Sequence, residues 1–195
     1  MFNNLNIVVG ITGGIAAYKA CGIVSFLKGQ GANVDVIMTK NACEFITPLT
    51  LETLSGNKVV TDMFERPDYI DVKHISLARK ADLFLIVPAT ANIIGKVANG
   101  IADDMLSTTV MATKAPVIFA PAMNNGMYEN PIVQHNLEKL KNYGYKIIEP
   151  ATGHLACGYE AKGKLPKNEE IIDYVKVLVK EKRWYEKNNY NSRWN

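Results

Sequence analysis

The chain has 195 residues, enough for one domain whose core buries roughly 70% of the surface that the unfolded chain exposes. Its 48% hydrophobic and 21% charged residues are those of an ordinary globular protein, and a net charge of +3 gives no case for nucleic acid or an anionic membrane surface. No apolar run approaches the ~20 residues of a membrane span, the opening MFNNLNIVVG lacks a basic export region, and three scattered cysteines argue against a disulfide framework and for a reducing cytoplasm.

Leu5 to Ile11 is a β-branched run without alternation, which predicts a strand buried on both faces. Gly13 and Gly14 break it, and Ile15 to Lys28 follows at helical spacing, ended by Gly29 and Gly31. A second strand, Asn33 to Thr39, completes an order that opens a parallel α/β sheet. Asn41 to Ala81 is less regular and carries short helices, one of them around His74 to Lys80. Asp82 to Val87 predicts a strand stopped by Pro88, and Ala89 to Met111 a helix broken once at Asn99-Gly100. Pro116 to Ala120 is a strand, Pro131 to Tyr143 a helix ended by Gly144, and Tyr145 to Ile148 a strand. A last helix runs from about Lys167 to Lys182, and the polar stretch from Trp184 to Asn195 reads as a flexible tail. The expectation is a single α/β domain over 1–183, a Rossmann-like or flavodoxin-like three-layer sandwich with a mainly parallel sheet, followed by the tail 184–195.

In open α/β sheets ligands bind beyond the carboxyl ends of the strands, so the loops after each strand are the segments to inspect. Gly10-Ile11-Thr12-Gly13-Gly14 can offer backbone N–H groups and a helix start to a phosphate, although a tight turn explains the same glycines. The second strand ends in Thr39-Lys40 rather than in the acidic residue that a ribose diol requires, which favours a mononucleotide over a dinucleotide. Pro88-Ala89-Thr90-Ala91-Asn92 lets a flat ligand approach the backbone; capping of the next helix by Thr90 is the plainer reading. Ser107, Thr108 and Thr109 form a hydroxyl cluster inside that helix. Pro121 to Tyr128 gathers Met123, Asn124, Asn125 and Met127, suited to an apolar ligand whose polar end Asn124 would fix. His74 has the capacity for proton chemistry, Cys157 sits in a glycine-rich loop as a candidate reactive thiol, and no pair of histidines has metal-ligand spacing.

These segments together resemble the homo-oligomeric flavin-containing cysteine decarboxylases, from Asn6 to about Lys182. Gly-Ile-Thr-Gly-Gly-Ile-Ala-Ala-Tyr-Lys is similar to that family's flavin phosphate loop, and Phe45-Ile46-Thr47-Pro48-Leu49 resembles a second block. Pro88 to Asn92 resembles Pro-Ala-Ser-Ala-Asn-Thr, with Thr90 for Ser and Ile93 for the final Thr. Pro121 to Tyr128 resembles Pro-x-Met-Asn-x-x-Met-Trp, with Tyr128 for Trp, and Ala156-Cys157-Gly158 matches the segment with the reducing-step cysteine. Lys164 stands where the family has Arg, keeping the charge without the bidentate fork.

The resemblance implies FMN as cofactor, held by Thr12, Gly13, Gly14, Thr39, Pro88, Ala89, Thr90, Ala91, Asn92, Ser107 and Thr108. It implies His74 and Cys157 as catalytic residues, and Met123, Asn124, Ala156, Gly158 and Lys164 as substrate contacts. The implied reaction is decarboxylation of 4'-phosphopantothenoyl-L-cysteine to 4'-phosphopantetheine in coenzyme A synthesis, by transient oxidation of the thiol. The implied assembly is a trimer or higher multiple with sites between subunits, served by a phosphopantothenate-cysteine ligase that is separate or fused. Oxidative decarboxylation of a peptide's C-terminal cysteine, or an inactive flavin-binding regulatory role, are the alternatives; Cys157 favours the coenzyme A role, and His74 with Cys157 disfavours the inactive one.

Overall fold

In the computed structural model, which describes residues 2–64, 72–154 and 160–191, the opening β-branched run forms strand β1 (Asn6–Ile11). A 3₁₀ turn (Ile15–Lys19) leads directly into helix α1 (Ala20–Gly29), and β2 (Asn33–Met38) returns parallel to β1. The irregular stretch resolves into α2 (Lys40–Cys43), α3 (Pro48–Ser55) and α4 (Lys73–Lys80). The second half comprises β3 (Leu83–Ala89), α5 (Ala91–Ala98), α6 (Met105–Ala112), β4 (Val117–Pro121), α7 (Asn125–Tyr128), α8 (Pro131–Asn142) and β5 (Lys146–Ile147). An antiparallel pair, β6 (Ala151–His154) and β7 (Glu160–Lys164), precedes α9 (Asn168–Asn191).

The five main strands lie parallel in the order β2-β1-β3-β4-β5. Side chains alternate across the sheet, so each strand feeds two cores. Ile7, Val9 and Ile11 pack with Ile23, Leu27, Ile171 and Val175 on one face. Val8, Phe84, Ile86 and Phe119 pack with Leu77, Ile94, Leu106 and Leu140 on the other. Burial on both faces is why these strands read as continuous apolar runs. The chain reverses its winding between β1 and β3, and a crevice opens there beyond the carboxyl ends of the strands.

Three boundaries differ from the sequence reading. Strand β3 does not stop at Pro88: pairing slips between Ile86 and Ala89 and resumes at Ala89 opposite Pro121, so the missing proline N–H falls at the irregularity. The helix expected over 89–111 does break at Asn99-Gly100, but the interruption runs over 99–104, and Asp104 restarts the second helix through a reciprocal cap with Ser107. Helix α9 continues through Asn191, past the end near Lys182 that the sequence reading gave it. No Gly or Pro interrupts 168–191, and Lys180, Glu181, Glu186 and Lys187 are good helix formers, so polarity there does not mean absence of structure. Residues 192–195 lie outside the described residues.

Candidate functional site

The crevice at the switch point is a cavity of about 940 Å³, at the upper end of the range for small-molecule sites. Thr12, at the end of β1, fixes its floor. The buried Thr12 hydroxyl donates to the Pro88 carbonyl at 2.7 Å and accepts from Thr90 N at 3.1 Å. That threonine is therefore a tie between the two central strand ends, with its hydrogen already committed. On the near wall, Gly13, Gly14, Ile15 and Ala16 form the start of the first helical segment, whose first N–H groups have no partner within the helix. Gly13 has a steric requirement: a Cβ there would stand 2.4 Å from Asn41 Cβ and 2.8 Å from the Asn41 carbonyl.

Thr39 closes the same wall and caps α2 by accepting from Ala42 N. Thr90 stands at the N-cap of α5 but makes no capping bond with its side chain, so the plainer reading of it as a cap is not what the structure has. Pro88, Ala91 and Asn92 line the cavity beside it, whereas Ala89 is fully buried in β3. Ser107 and Thr108 are not among the lining residues. The buried Ser107 hydroxyl serves the Asp104 cap, and Thr108 donates to Ala102 O.

Opposite them, Ala122 N donates to Ala89 O and Met123 N to Gly163 O, so the Met-Asn loop is pinned between a central strand and the hairpin. The Asn124 Oδ1 accepts from Gly126 N at 2.8 Å, which orients the carboxamide at the cavity edge. Lys164 and Leu165 bring β7 into the same wall. His74, on the second residue of α4, is half-buried and is not among the residues lining this cavity. Ala156, Cys157 and Gly158 lie outside the described residues, between β6 and β7 in sequence.

Lys19 and Lys40, both within segments that the sequence reading singled out, add positive charge near the glycine turn, and the exposed Tyr18 offers apolar surface at the rim. Sequence reasoning missed the exposed Phe64, also at the rim, and Lys96. Lys96 spans Asp103 at 2.6 Å and Asp104 at 2.7 Å. Burial works against the Asp104 carboxylate, but Lys96 and Ser107 outweigh it and hold the carboxyl below its usual range. No local pattern announces Lys96, because its approach to the cavity depends on the sheet order. Burial pushes the Cys21 and Cys43 thiols up, so both are held as inert thiols. Among the described residues no group of three or more His, Cys, Asp or Glu is placed to hold a metal ion.

Comparison with known proteins gives a consistent picture. The Flavoprotein family profile matches residues 1–180. The chain is 52% identical over 172 residues to the coenzyme A biosynthesis bifunctional protein CoaBC of Bacillus subtilis, covering 88% of this chain but 42% of that one. It thus spans less than half the length of that relative. It is 43% identical over 171 residues to a probable phosphopantothenoylcysteine decarboxylase of Streptococcus mutans, covering 87% of this chain and 96% of the relative. The solved structure of the FMN-dependent cysteine decarboxylase SpaF superposes with a TM-score of 0.75 at 31% identity, covering 84% of this chain and 92% of the other.

Proposed function

The chain belongs to the Flavoprotein family, and from that premise we propose that it is an FMN-dependent decarboxylase of 4'-phosphopantothenoyl-L-cysteine, forming 4'-phosphopantetheine for coenzyme A synthesis. The observation that carries the reading is one cavity in which a glycine turn, a proline-led strand end and the Met123-Asn124 loop meet, each from a different strand of a parallel sheet. The residues fit a flavin mononucleotide. A side chain at Gly13 would fill the glycine turn, three lysines (Lys19, Lys40 and Lys164) line the cavity and would meet anionic groups, Asp103 and Asp104 are paired with Lys96, and much of the remaining wall is apolar. Thr39 and the N–H groups at 13–15 would hold the phosphate, and Pro88, Thr90, Ala91 and Asn92 the ring.

Losing CO₂ directly from an amide-linked cysteine would leave an unstabilised carbanion, so the reaction needs an electron sink. Bound flavin supplies one, accepting two electrons from the thiol and giving them back after CO₂ has left. Asn124 would hold the substrate carboxylate by hydrogen bonds, and Met123 would pack against the thiol-bearing arm. His74 would take the proton released as the thiol is oxidised. Since His74 does not line its own chain's cavity, we assign it to the site of a neighbouring copy, in a homotrimer or higher multiple. Cys157 would return a proton to the enethiol, flanked by substrate contacts at Ala156 and Gly158, and Lys164 would pair with the substrate's phosphate. Assembly also excludes water from a reactive thioaldehyde.

The substrate would come from a phosphopantothenate-cysteine ligase, and the setting is cytoplasmic; no helix among the described residues is long and apolar enough to cross a membrane. A second reading, oxidative decarboxylation of a peptide's terminal cysteine, draws on the likeness to SpaF. Incubating the flavin-loaded protein with phosphopantothenoylcysteine and with a cysteine-terminated peptide, then identifying products by mass, decides between them. 4'-Phosphopantetheine is expected from the first and no reaction from the second. An enethiol peptide overturns the proposal.

A further inference from the structure

Away from the cavity, Glu149 collects three donors from three elements. Its Oε1 accepts from Lys141 on α8 at 2.9 Å. Its Oε2 accepts from the Tyr128 hydroxyl at the end of α7 at 3.0 Å and from Lys162 on β7 at 3.1 Å. The Lys162 ammonium also lies 5.4 Å from the Tyr128 ring centroid. An isolated exposed pair stabilises little, and the Glu149 side chain is 53% exposed, so the importance of this cluster lies in what it aligns.

The alignment follows from a slip in the hairpin. Ala151 pairs with Lys164 and Thr152 with Lys162, which leaves Gly163 as the extra residue of a bulge. Ala151 and Thr152 are neighbours on one strand and point to opposite faces, so Lys162 and Lys164 do too. Lys164 accordingly lines the cavity while Lys162 reaches Glu149 outside it. Gly163 is required at the bulge: its φ is +136°, and a Cβ would stand 2.4 Å from the Met123 carbonyl oxygen. Backbone contact from Met123 N to Gly163 O at 3.0 Å then carries the position of β7 to the Met-Asn loop.

We propose that Glu149 is a positioning residue for substrate binding: by clamping Lys162 and Tyr128 together it sets, through the Gly163 bulge, where Lys164 stands relative to Asn124. This rests on the decarboxylase reading above. It assigns a role in substrate recognition to a carboxylate that does not line the cavity, and to Tyr128 through its hydroxyl. Glu149 acts on Lys164 and not on the flavin, because the glycine turn and the Pro88 to Asn92 segment belong to other strands. The two effects are separable.

The test compares wild type, Glu149→Gln, Lys164→Met and the double variant, all flavin-loaded, for KM and kcat with phosphopantothenoylcysteine and for amide hydrogen exchange at Met123 and 160–164. Glu149→Gln is expected to raise KM by about three- to fivefold at unchanged kcat and flavin content, with faster exchange at these amides. The double variant is expected to be no worse than Lys164→Met alone, since Glu149 works through Lys164. Tyr128→Phe, which removes a single hydroxyl, should move KM the same way by less. An unchanged KM, independent effects that multiply in the double variant, or kcat and flavin content falling together overturns the proposal. Should the wild type fail to turn over phosphopantothenoylcysteine, the decarboxylase reading falls and the exchange data decide the clamp alone: faster exchange in Glu149→Gln sustains it, unchanged exchange overturns it.

Discussion

Gly13→Ala probes the flavin site where the structure is least tolerant. The added methyl would meet Asn41 Cβ at 2.4 Å and the Asn41 carbonyl carbon and oxygen at 2.8 Å. None of these atoms belongs to the free end of a side chain, and Asn41 sits in the first turn of α2, held at its start by the Thr39 cap. Overpacking of this kind costs about 1–3 kcal/mol. Without ligand the glycine turn can relieve the clash by parting from α2; a phosphate held by both requires them together, so the strain falls on binding. At 1.4 kcal/mol per decade, FMN affinity should weaken by about 5- to 150-fold. Titration of the apoprotein with FMN, followed by quenching of flavin fluorescence, reads this directly. Gly29→Ala is the control, because a Cβ there meets nothing within 4 Å. Gly13→Ala protein that binds FMN as tightly as wild type and melts at the same temperature would refute the close-approach argument.

Other substitutions separate the remaining roles. His74→Asn should retain flavin and lose CO₂ release, measured as trapped CO₂; full turnover removes His74 from the chemistry. Cys157→Ser should still release CO₂ but accumulate the oxidised product by mass, and normal 4'-phosphopantetheine would contradict its role as the acid. Ser107→Ala removes half of the reciprocal cap on α6 and should cost about 0.5–2 kcal/mol in denaturant unfolding while leaving FMN affinity intact. A loss of affinity instead would place Ser107 in the flavin site. Hydrogen bonding from Lys141, then from Lys162 and Tyr128, holds the Glu149 carboxyl at about 2, against an ordinary 4.5. A depressed carboxyl stabilises the fold above its unfolded value, so this contribution is present above pH 4.5 and is lost as the pH falls toward 2. Exchange at 160–164 should accelerate across that window in wild type relative to Glu149→Gln; parallel pH profiles would rule out the assignment.

Most of the parallel sheet was legible because strands buried on both faces have no other way to appear in a sequence than as short β-branched runs between glycines and prolines. Its strand-end loops were legible for the same reason: once the order of elements is known, the carboxyl ends of parallel strands must share one edge. The hairpin at 151–164 was not. Thr152, His154, Glu160, Lys162 and Lys164 are polar or charged, and its one bulge is set by a glycine that meets Met123, forty residues earlier in the chain. Pro88 was misread as a stop because the slip that tolerates it depends on pairing with β4. The use of the Ser107 hydroxyl in the α6 cap was not legible either, because a cap and a ligand contact use the same hydroxyl and only the position of Asp104 reveals the cap. Lys96 reaches the cavity from a helix whose sequence gives no sign of facing it.

The central claim is that the cavity holds a flavin that borrows electrons from the substrate sulfur and returns them. Following the visible absorbance of the FMN-loaded protein without oxygen, while phosphopantothenoylcysteine is added and CO₂ is collected, tests it most directly. The account predicts bleaching during turnover and full recovery of the yellow colour once substrate is consumed, with 4'-phosphopantetheine as product. CO₂ release with an unchanging flavin spectrum, or a flavin that bleaches and stays reduced, would contradict it.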